Sequence, residues 1–285
     1  MEIQLDKPIR LVATDVDGTL VQSDKTVSPA AVAAIHRAIE SGVKVAIASG
    51  RSYSEMFEIW EKVPEVRYFI CTNGAAIIDK KEDKCLYHEQ FDKAMALDLV
   101  RQLMAYGVYV EAYMDHEVVG MELPEDKIPY FFNDHVRPLI LKSRRFVPDL
   151  LETLESYPLG PEKIQIFFGD RAMEERLIAD FKDASDFDVL RSSEGNLEFV
   201  MTHNTKGTAV KALAEHWGFS SDEVMTIGDS HNDISMLSYA GVSVAMANSD
   251  AVVRSKAKYL TDSNDEDGFA KALNAALDAS ERLNV

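Results

Sequence analysis

The chain has 285 residues, 46% of them hydrophobic, enough for one large domain or two modest ones with a sizeable core. Its 30 Lys and Arg against 48 Asp and Glu leave a net charge of -18, which argues against a general nucleic-acid or anionic-membrane surface. Cys71 and Cys85 have neither metal-ligand spacing nor a disulfide framework, and no run approaches the roughly 18 apolar residues of a membrane-spanning helix. Residues 1–6 lack the basic and apolar regions of a signal peptide, so a cytoplasmic protein with reduced thiols is expected.

In chain order, the apolar run 9–13 reads as a buried strand and leads into Asp15-Val16-Asp17-Gly18-Thr19-Leu20. Ser28 and Pro29 open a helix with Ile35 and Ile39 on its inner face, and Gly42 stops it. A second apolar strand, 43–48, ends in Ser49-Gly50-Arg51, after which Ser52 and Glu55 form a capping box for the next helix. A third strand, 68–71, closes on Thr72-Asn73-Gly74. Apolar strands separated by helices predict a parallel sheet covered on both faces.

The charged run 80–84 marks a boundary. Beyond it, strands at 108–114 and 118–121 mix polar and apolar positions, with helices at 92–106, 149–156 and 172–184. That pattern predicts an α+β insert on an antiparallel sheet. From Leu197 the first rhythm resumes: helix 206–217, strand 224–227, helix 233–239, strand 242–245 and helix 269–277. The expected architecture is α/β, a Rossmann-like parallel-sheet core from 1–83 and 196–285, with an inserted α+β domain over 84–195.

Two acidic clusters carry the chemistry. Asp15 and Asp17 follow the first strand, and Asp229, Asn232 and Asp233 lie in Gly228-Asp229-Ser230-His231-Asn232-Asp233 after the strand 224–227. A parallel sheet would project both from one carboxyl edge. Carboxylates about 4 Å apart repel by roughly 4 kcal/mol at an effective dielectric of about 20. Gathering them takes a cation, a proton or both, and a hard ion such as Mg²⁺ suits oxygen donors.

Asp15, fixed at the strand end, can attack phosphorus, and Asp17 can exchange a proton with the leaving oxygen and the incoming water. An isolated D-x-D-G is equally a turn or a calcium-type loop. Ser49 can donate to a phosphoryl oxygen and Gly50 lets the backbone approach, although Ser-Gly after a strand is usually only a turn. Lys206 opens a helix, where its charge gains nothing from the dipole. The position makes sense if Lys206 faces an anion; otherwise it is a solvated lysine. Asp229 is the second metal carboxylate, Asp233 either holds metal-bound water or fixes Lys206, and Asn232 reaches the phosphate or braces its loop. Without that chemistry, the segment 228–233 is a polar loop with an N-cap.

In this order, DVDGTL, Ser49 in ASGR, Lys206 in TKG and GDSHND resemble the haloacid dehalogenase-like hydrolase superfamily. Within it the chain resembles the Cof-type phosphatases, whose C2-type (C2B-like) cap lies between the second and third motifs. Thr72-Asn73-Gly74-Ala75, Val244-Ala245-Met246-Ala247-Asn248 and residues 259–264 (YLTDSN) add to the likeness. The resemblance implies Asp15 as nucleophile, Asp17 as acid/base and Mg²⁺ held by Asp15, the Asp17 carbonyl and Asp229, with Asp233 assisting. It implies Ser49 and Lys206 on the phosphoryl oxygens and Asn73 and Asn248 as substrate contacts. The implied reaction is hydrolysis of small phosphorylated metabolites, sugar phosphates favoured, with no nucleic-acid or membrane partner.

A phosphomutase and a non-catalytic phospho-ligand binder are the rival readings. Two departures from the family pattern are His203-Asn204-Thr205 before Lys206 and Ala247 before Asn248. On the insert, Lys163, Arg191 and Glu198 read as structural or solvated charges. Oligomeric state is left open.

Overall fold

The computed structural model describes residues 2–124, 127–131, 137–193 and 195–283. The strands, in chain order, are β1 (Leu11–Thr14), β2 (Lys44–Ala48), β3 (Tyr68–Cys71), β4 (Ala76–Asp79), β5 (Lys84–His88), β6 (Tyr109–Met114) and β7 (Glu117–Met121). After these come β8 (Arg144–Val147), β9 (Lys163–Phe167), β10 (Phe187–Ser193), β11 (Asn196–Met201), β12 (Val224–Gly228), β13 (Val242–Ala245) and β14 (Tyr259–Leu260). Two compact units result. Met1–Arg51, Met56–Tyr87 and Thr205–Val285 form the first, and Ser52–Glu55 with His88–Asn204 the second.

The first unit is built on a sheet of order β14-β13-β12-β1-β2-β3-β4-β5, parallel from β14 to β3 and antiparallel where β4 returns beside β3. β1, β3, β4, β12 and β13 are buried along their whole length, as strands covered on both faces must be. Thr14 pairs with Ile227 on one side and Ile47 on the other, so β12, β1 and β2 end level. That register puts Asp15, Asp229 and Ser49 just past one edge of the sheet. The helix Pro29–Glu40 starts as expected: Ser28 Oγ accepts the Ala31 amide at 3.1 Å, with proline in the first turn. It packs through Ala31, Ala34, Ile35 and Ala38, and Gly42 at φ +81° follows its end.

The charged run 80–84 is the turn of the β4–β5 hairpin with the first residue of β5, and belongs to the core sheet. The units accordingly change over at 87/88 and 204/205, later than the expected 83/84 and 195/196. β5 pairs with β4 at the edge of the first sheet, while β11 pairs with β9 and β10 in the second, and ladder hydrogen bonds rather than composition set the boundary. Half of the expected capping box forms. Glu55 Oε2 accepts the Ser52 amide at 2.9 Å, but the chain there makes a 3-10 turn, Tyr53–Met56, before the helix Phe57–Lys62.

The second unit carries a sheet of order β10-β11-β9-β6-β7-β8, antiparallel except for the β7–β8 pair. Alternation sorts its side chains. Val110, Ala112, Ile164, Ile166, Leu197 and Phe199 join Leu99, Leu103 and Leu154 of the helices Lys93–Ala105 and Leu150–Ser156 in one apolar core. Glu111, Lys163, Gln165 and Glu198 are also buried, on alternate positions of the same strands. Lys163 Nζ donates to Glu198 at 3.0 Å and lies 4.0 Å from the Tyr113 ring centroid, whose hydroxyl donates to Gln165 at 2.6 Å. Arg191 pairs with Glu174. All three insert charges that the sequence offered are thus held in ion pairs.

Arg144 donates to Glu55 and, at 3.3 Å, to Glu111, with all three side chains at most 5% exposed. Burial pushes the Glu111 carboxyl up, and Arg144 pulls it only part of the way back. Replacing Arg144 by Met strands two buried carboxylates and is expected to destabilise the protein by about 3–5 kcal/mol. Urea denaturation measures this, and adding Glu111→Gln should recover part of the loss.

Candidate active site

At the level edge of β12, β1 and β2, two carboxylates hold one ammonium and a third lies beside them. Lys206, the first residue of the helix Lys206–His216, is 0% exposed in its side chain and donates to Asp15 Oδ1 at 2.6 Å and Asp233 Oδ1 at 2.7 Å. The Asp15 amide donates to Ile227 O at 3.0 Å, which fastens the carboxylate to the neighbouring strand. Asp233 Oδ2 accepts the amides of Asp229 and Ser230, both at 2.9 Å. Thr19 Oγ1 donates to Asp229 Oδ1 at 2.9 Å, and Ser230 Oγ and Asn248 Nδ2 lie 3.2 and 3.4 Å from Oδ2. Carboxylate oxygens of Asp15, Asp229 and Asp233 lie within 4.8 Å of one another.

This crowding depends on Gly18. Its φ is +85°, and a Cβ there would lie 2.5 Å from Asp229 Oδ2. Gly50 allows a second close approach, since a Cβ would come within 3.0 Å of Asn73 Oδ1. Thr72 and Asn73 both hold positive φ, 54° and 56°, unusual for residues with a Cβ and most of all for β-branched threonine. The loop is held there by the Thr72 amide donating to Arg51 O at 2.8 Å and the Asn73 amide donating to Ser49 O at 3.0 Å.

The electrostatics are unbalanced without a further cation. Burial pushes the Asp15 carboxyl well up, Lys206 draws it back, and Asp233 and Asp229 push it up again. Asp229 is raised by burial and then by Asp233. Burial disfavours the Lys206 charge, but Asp15 and Asp233 outweigh it and hold the ammonium protonated. One fixed positive charge among three carboxylates, all hard oxygen donors, fits a divalent metal of the Mg²⁺ kind.

Among the expected site residues, the structure brings Asp15, Lys206, Asp229 and Asp233 together. It does not bring the Asp17 side chain into that cluster. Arg51 instead grips Asp17 through Nε at 3.0 Å and Nη2 at 2.8 Å, and Lys25 approaches it at 3.3 Å. Asp233 has its two oxygens engaged by Lys206 and by backbone amides, which favours the lysine-fixing role. Ser49 is buried and its Oγ accepts the Arg51 amide at 3.2 Å, so its hydroxyl proton is free to point elsewhere. Asn232 Nδ2 donates to Asn73 Oδ1 at 3.1 Å, and Asn248 Nδ2 donates to Gly18 O at 2.9 Å; these amides brace the loops. Arg51 and Thr19 escaped the sequence reading. Each lies inside a motif, Arg51 in ASGR and Thr19 in DVDGTL, but nothing in the spacing says which carboxylate it meets.

Residues 12–273 match the haloacid dehalogenase-like hydrolase family. Phosphatase YwpJ of Bacillus subtilis is 30% identical over 279 residues, covering 92% of this chain and 98% of that protein. A second Bacillus subtilis relative, 5-amino-6-(5-phospho-D-ribitylamino)uracil phosphatase YcsE, is 29% identical over 94% of this chain and 96% of its own. A solved haloacid dehalogenase-like hydrolase from Bacteroides thetaiotaomicron superposes with a TM-score of 0.81 at 27% identity, over 93% of this chain and 98% of that one. The chain therefore belongs to the haloacid dehalogenase-like hydrolase family, among its Cof-type phosphatases, and is a phosphoric monoester hydrolase.

The raised carboxyls of Asp15 and Asp229 have a consequence for metal-free protein. A group whose pKa rises on folding contributes stability below its unfolded pKa and loses that contribution as pH rises through its folded pKa. Near neutral pH, Asp229→Asn is therefore expected to raise the melting temperature in chelator by roughly 2–4 °C, the shift about 1 kcal/mol produces in a protein approaching this size. The wild type should gain stability on adding Mg²⁺, less so at acidic pH, and Asp229→Asn should lose most of that gain. Thermal denaturation with and without chelator checks both.

Proposed function

We propose that the protein hydrolyses small phosphomonoesters in a Mg²⁺-dependent reaction through an aspartyl phosphate on Asp15. The observation that carries this reading is the Lys206 ammonium seated between Asp15 and Asp233 with Asp229 alongside. Asp15 and Asp229, with the Asp17 carbonyl, would hold the ion, which when bound neutralises the carboxylates and the phosphoryl oxygens. Asp233 keeps Lys206 in position.

An Asp15 oxygen attacks phosphorus as the bond from phosphorus to the leaving oxygen breaks, and Asp17 delivers a proton to that oxygen. Asp17 then takes a proton from water, whose oxygen attacks phosphorus. The Asp15–phosphate bond breaks, inorganic phosphate departs and the carboxylate is restored. Lys206 stays protonated throughout and faces the transferring group, and the Ser49 hydroxyl donates to a phosphoryl oxygen. For Asp17 to reach the leaving group, part of its Arg51 pairing has to open. Arg51 thus positions the acid between turnovers.

Sugar phosphates are the favoured substrates. Support comes from YcsE, a relative named for a phosphoribityl compound. The negative net charge makes nucleic acid an unsuitable partner, and no described helix is long and apolar enough to cross a membrane.

Asp15→Asn is expected to abolish release of inorganic phosphate from a chromogenic phosphate ester while the circular dichroism spectrum stays unchanged. Turnover near the wild-type rate would refute the covalent route. Asp17→Asn should reduce kcat by about 10²–10⁴-fold for an alkyl phosphate, the usual worth of a positioned acid. The loss should be far smaller for p-nitrophenyl phosphate, whose leaving group needs no proton. Equal losses for the two esters would remove Asp17 as the acid.

A further inference from the structure

The second unit gathers another set of ligand-type side chains, remote in sequence from every residue of the carboxylate site. His88 ends β5 and is the first residue of the unit's long segment. His116 is the second residue of the two-residue turn between β6 and β7, and Glu162 directly precedes β9. Glu162 Oε1 lies 2.9 Å from His88 Nε2 and 2.6 Å from His116 Nδ1, and it accepts the His116 amide at 3.1 Å. One donor atom from each of the three residues falls within 4.8 Å of the others. The Glu162 side chain is 0% exposed, whereas the histidines keep 21% and 19% of theirs.

Turn chemistry does not account for His116. Asp115 and His116 have φ of 51° and 68°, and a two-residue hairpin turn with both central residues left-handed strongly favours glycine at the second position. A histidine there sits in a sparsely populated backbone region, where glycine is the usual residue. In return, the turn aims Nδ1 at the buried carboxylate. His88 has an orienting partner, since the Gln90 carboxamide nitrogen lies 2.7 Å from His88 Nδ1. The two ends of a carboxamide exchange by a simple flip. With its oxygen there, Gln90 accepts Nδ1–H and leaves the Nε2 lone pair facing Glu162, the outer-shell arrangement usual behind a ligating histidine.

We propose that His88, His116 and Glu162 form a second metal site, selective for borderline cations of the Zn²⁺ class over Mg²⁺. Two imidazole nitrogens and one carboxylate oxygen are the donor set such cations prefer, and three protein ligands leave a fourth position to water. A bound ion neutralises the buried carboxylate and ties three segments distant in sequence: the chain at His88, the β6–β7 turn and the start of β9. Its role is to stabilise this unit. The alternative is a hydrogen-bonded cluster in which each ring donates one N–H to Glu162.

Co²⁺ in place of Zn²⁺ separates the two. Full-length protein, stripped with chelator and held in excess Mg²⁺ to fill the carboxylate site, is titrated with Co²⁺ and followed by visible absorption. The expected result is a d–d band that saturates at a single equivalent and is bleached by Zn²⁺. The band should persist in Asp229→Asn and vanish in His88→Gln and in His116→Asn, the second chosen because asparagine tolerates the left-handed turn. Persistence of the band in both histidine variants, or its loss in Asp229→Asn alone, overturns the site. Wild-type protein decides the matter even if a variant misfolds. No visible band, together with no rise in melting temperature on adding Zn²⁺ over saturating Mg²⁺, leaves only the hydrogen-bonded cluster.

Discussion

A single buried ammonium organises the first unit's site. Lys206 has no exposed side-chain surface and is tolerable there only because Asp15 and Asp233 lie within hydrogen-bond distance of it. The same contacts fix the orientation of both carboxylates before any ligand arrives. Charge balance nevertheless stops short. With Asp229 added, acidic groups outnumber the lysine, and a divalent ion would offset the shortfall. The imbalance that raises the Asp15 and Asp229 carboxyls would favour a bound cation.

The backbone has to allow that density of charge. Thr14 level with Ile227 and Ile47 brings three strand ends to one line, and each is followed by a loop carrying a functional side chain. Gly18 leaves room for Asp229, and the left-handed Thr72 and Asn73 carry Asn73 against Gly50 and Asn232. Strain at Thr72 is borne by a loop whose amides are already tied to Ser49 and Arg51. In the proposed reaction, preorganisation of this kind would let positioning and charge neutralisation, rather than movement, supply most of the stabilisation of a loose phosphoryl transition state.

The second unit solves a different version of the same problem. Its sheet buries Glu111, Lys163, Glu198 and Arg144 on alternate strand positions, each charge matched by an opposite one. The sequence offered Lys163, Arg191 and Glu198 as structural charges, and their pairings agree. At the start of that unit's long segment, Glu162 is matched by two histidines instead of a lysine or arginine. Imidazoles, unlike ammonium groups, can exchange their protons for a metal.

Apolar runs with helical spacers determined the parallel core, because a strand buried on both faces has to be apolar throughout. Residue type and position also made the main acidic groups legible: Asp15 and Asp229 each follow such a run, and Lys206 opens a helix where its charge has no local reason to be. What the sequence left undecided was partnership. Asp17 turned toward Arg51, Asp233 toward Lys206 and two amides, Asn248 toward the Gly18 carbonyl, and β5 joined the core sheet through a turn that composition marked as a boundary. His88, His116 and Glu162 showed no motif at all. These outcomes depend on loop dihedrals and on side chains from distant segments meeting in space, quantities that local periodicity does not encode, and only the tertiary structure decided them.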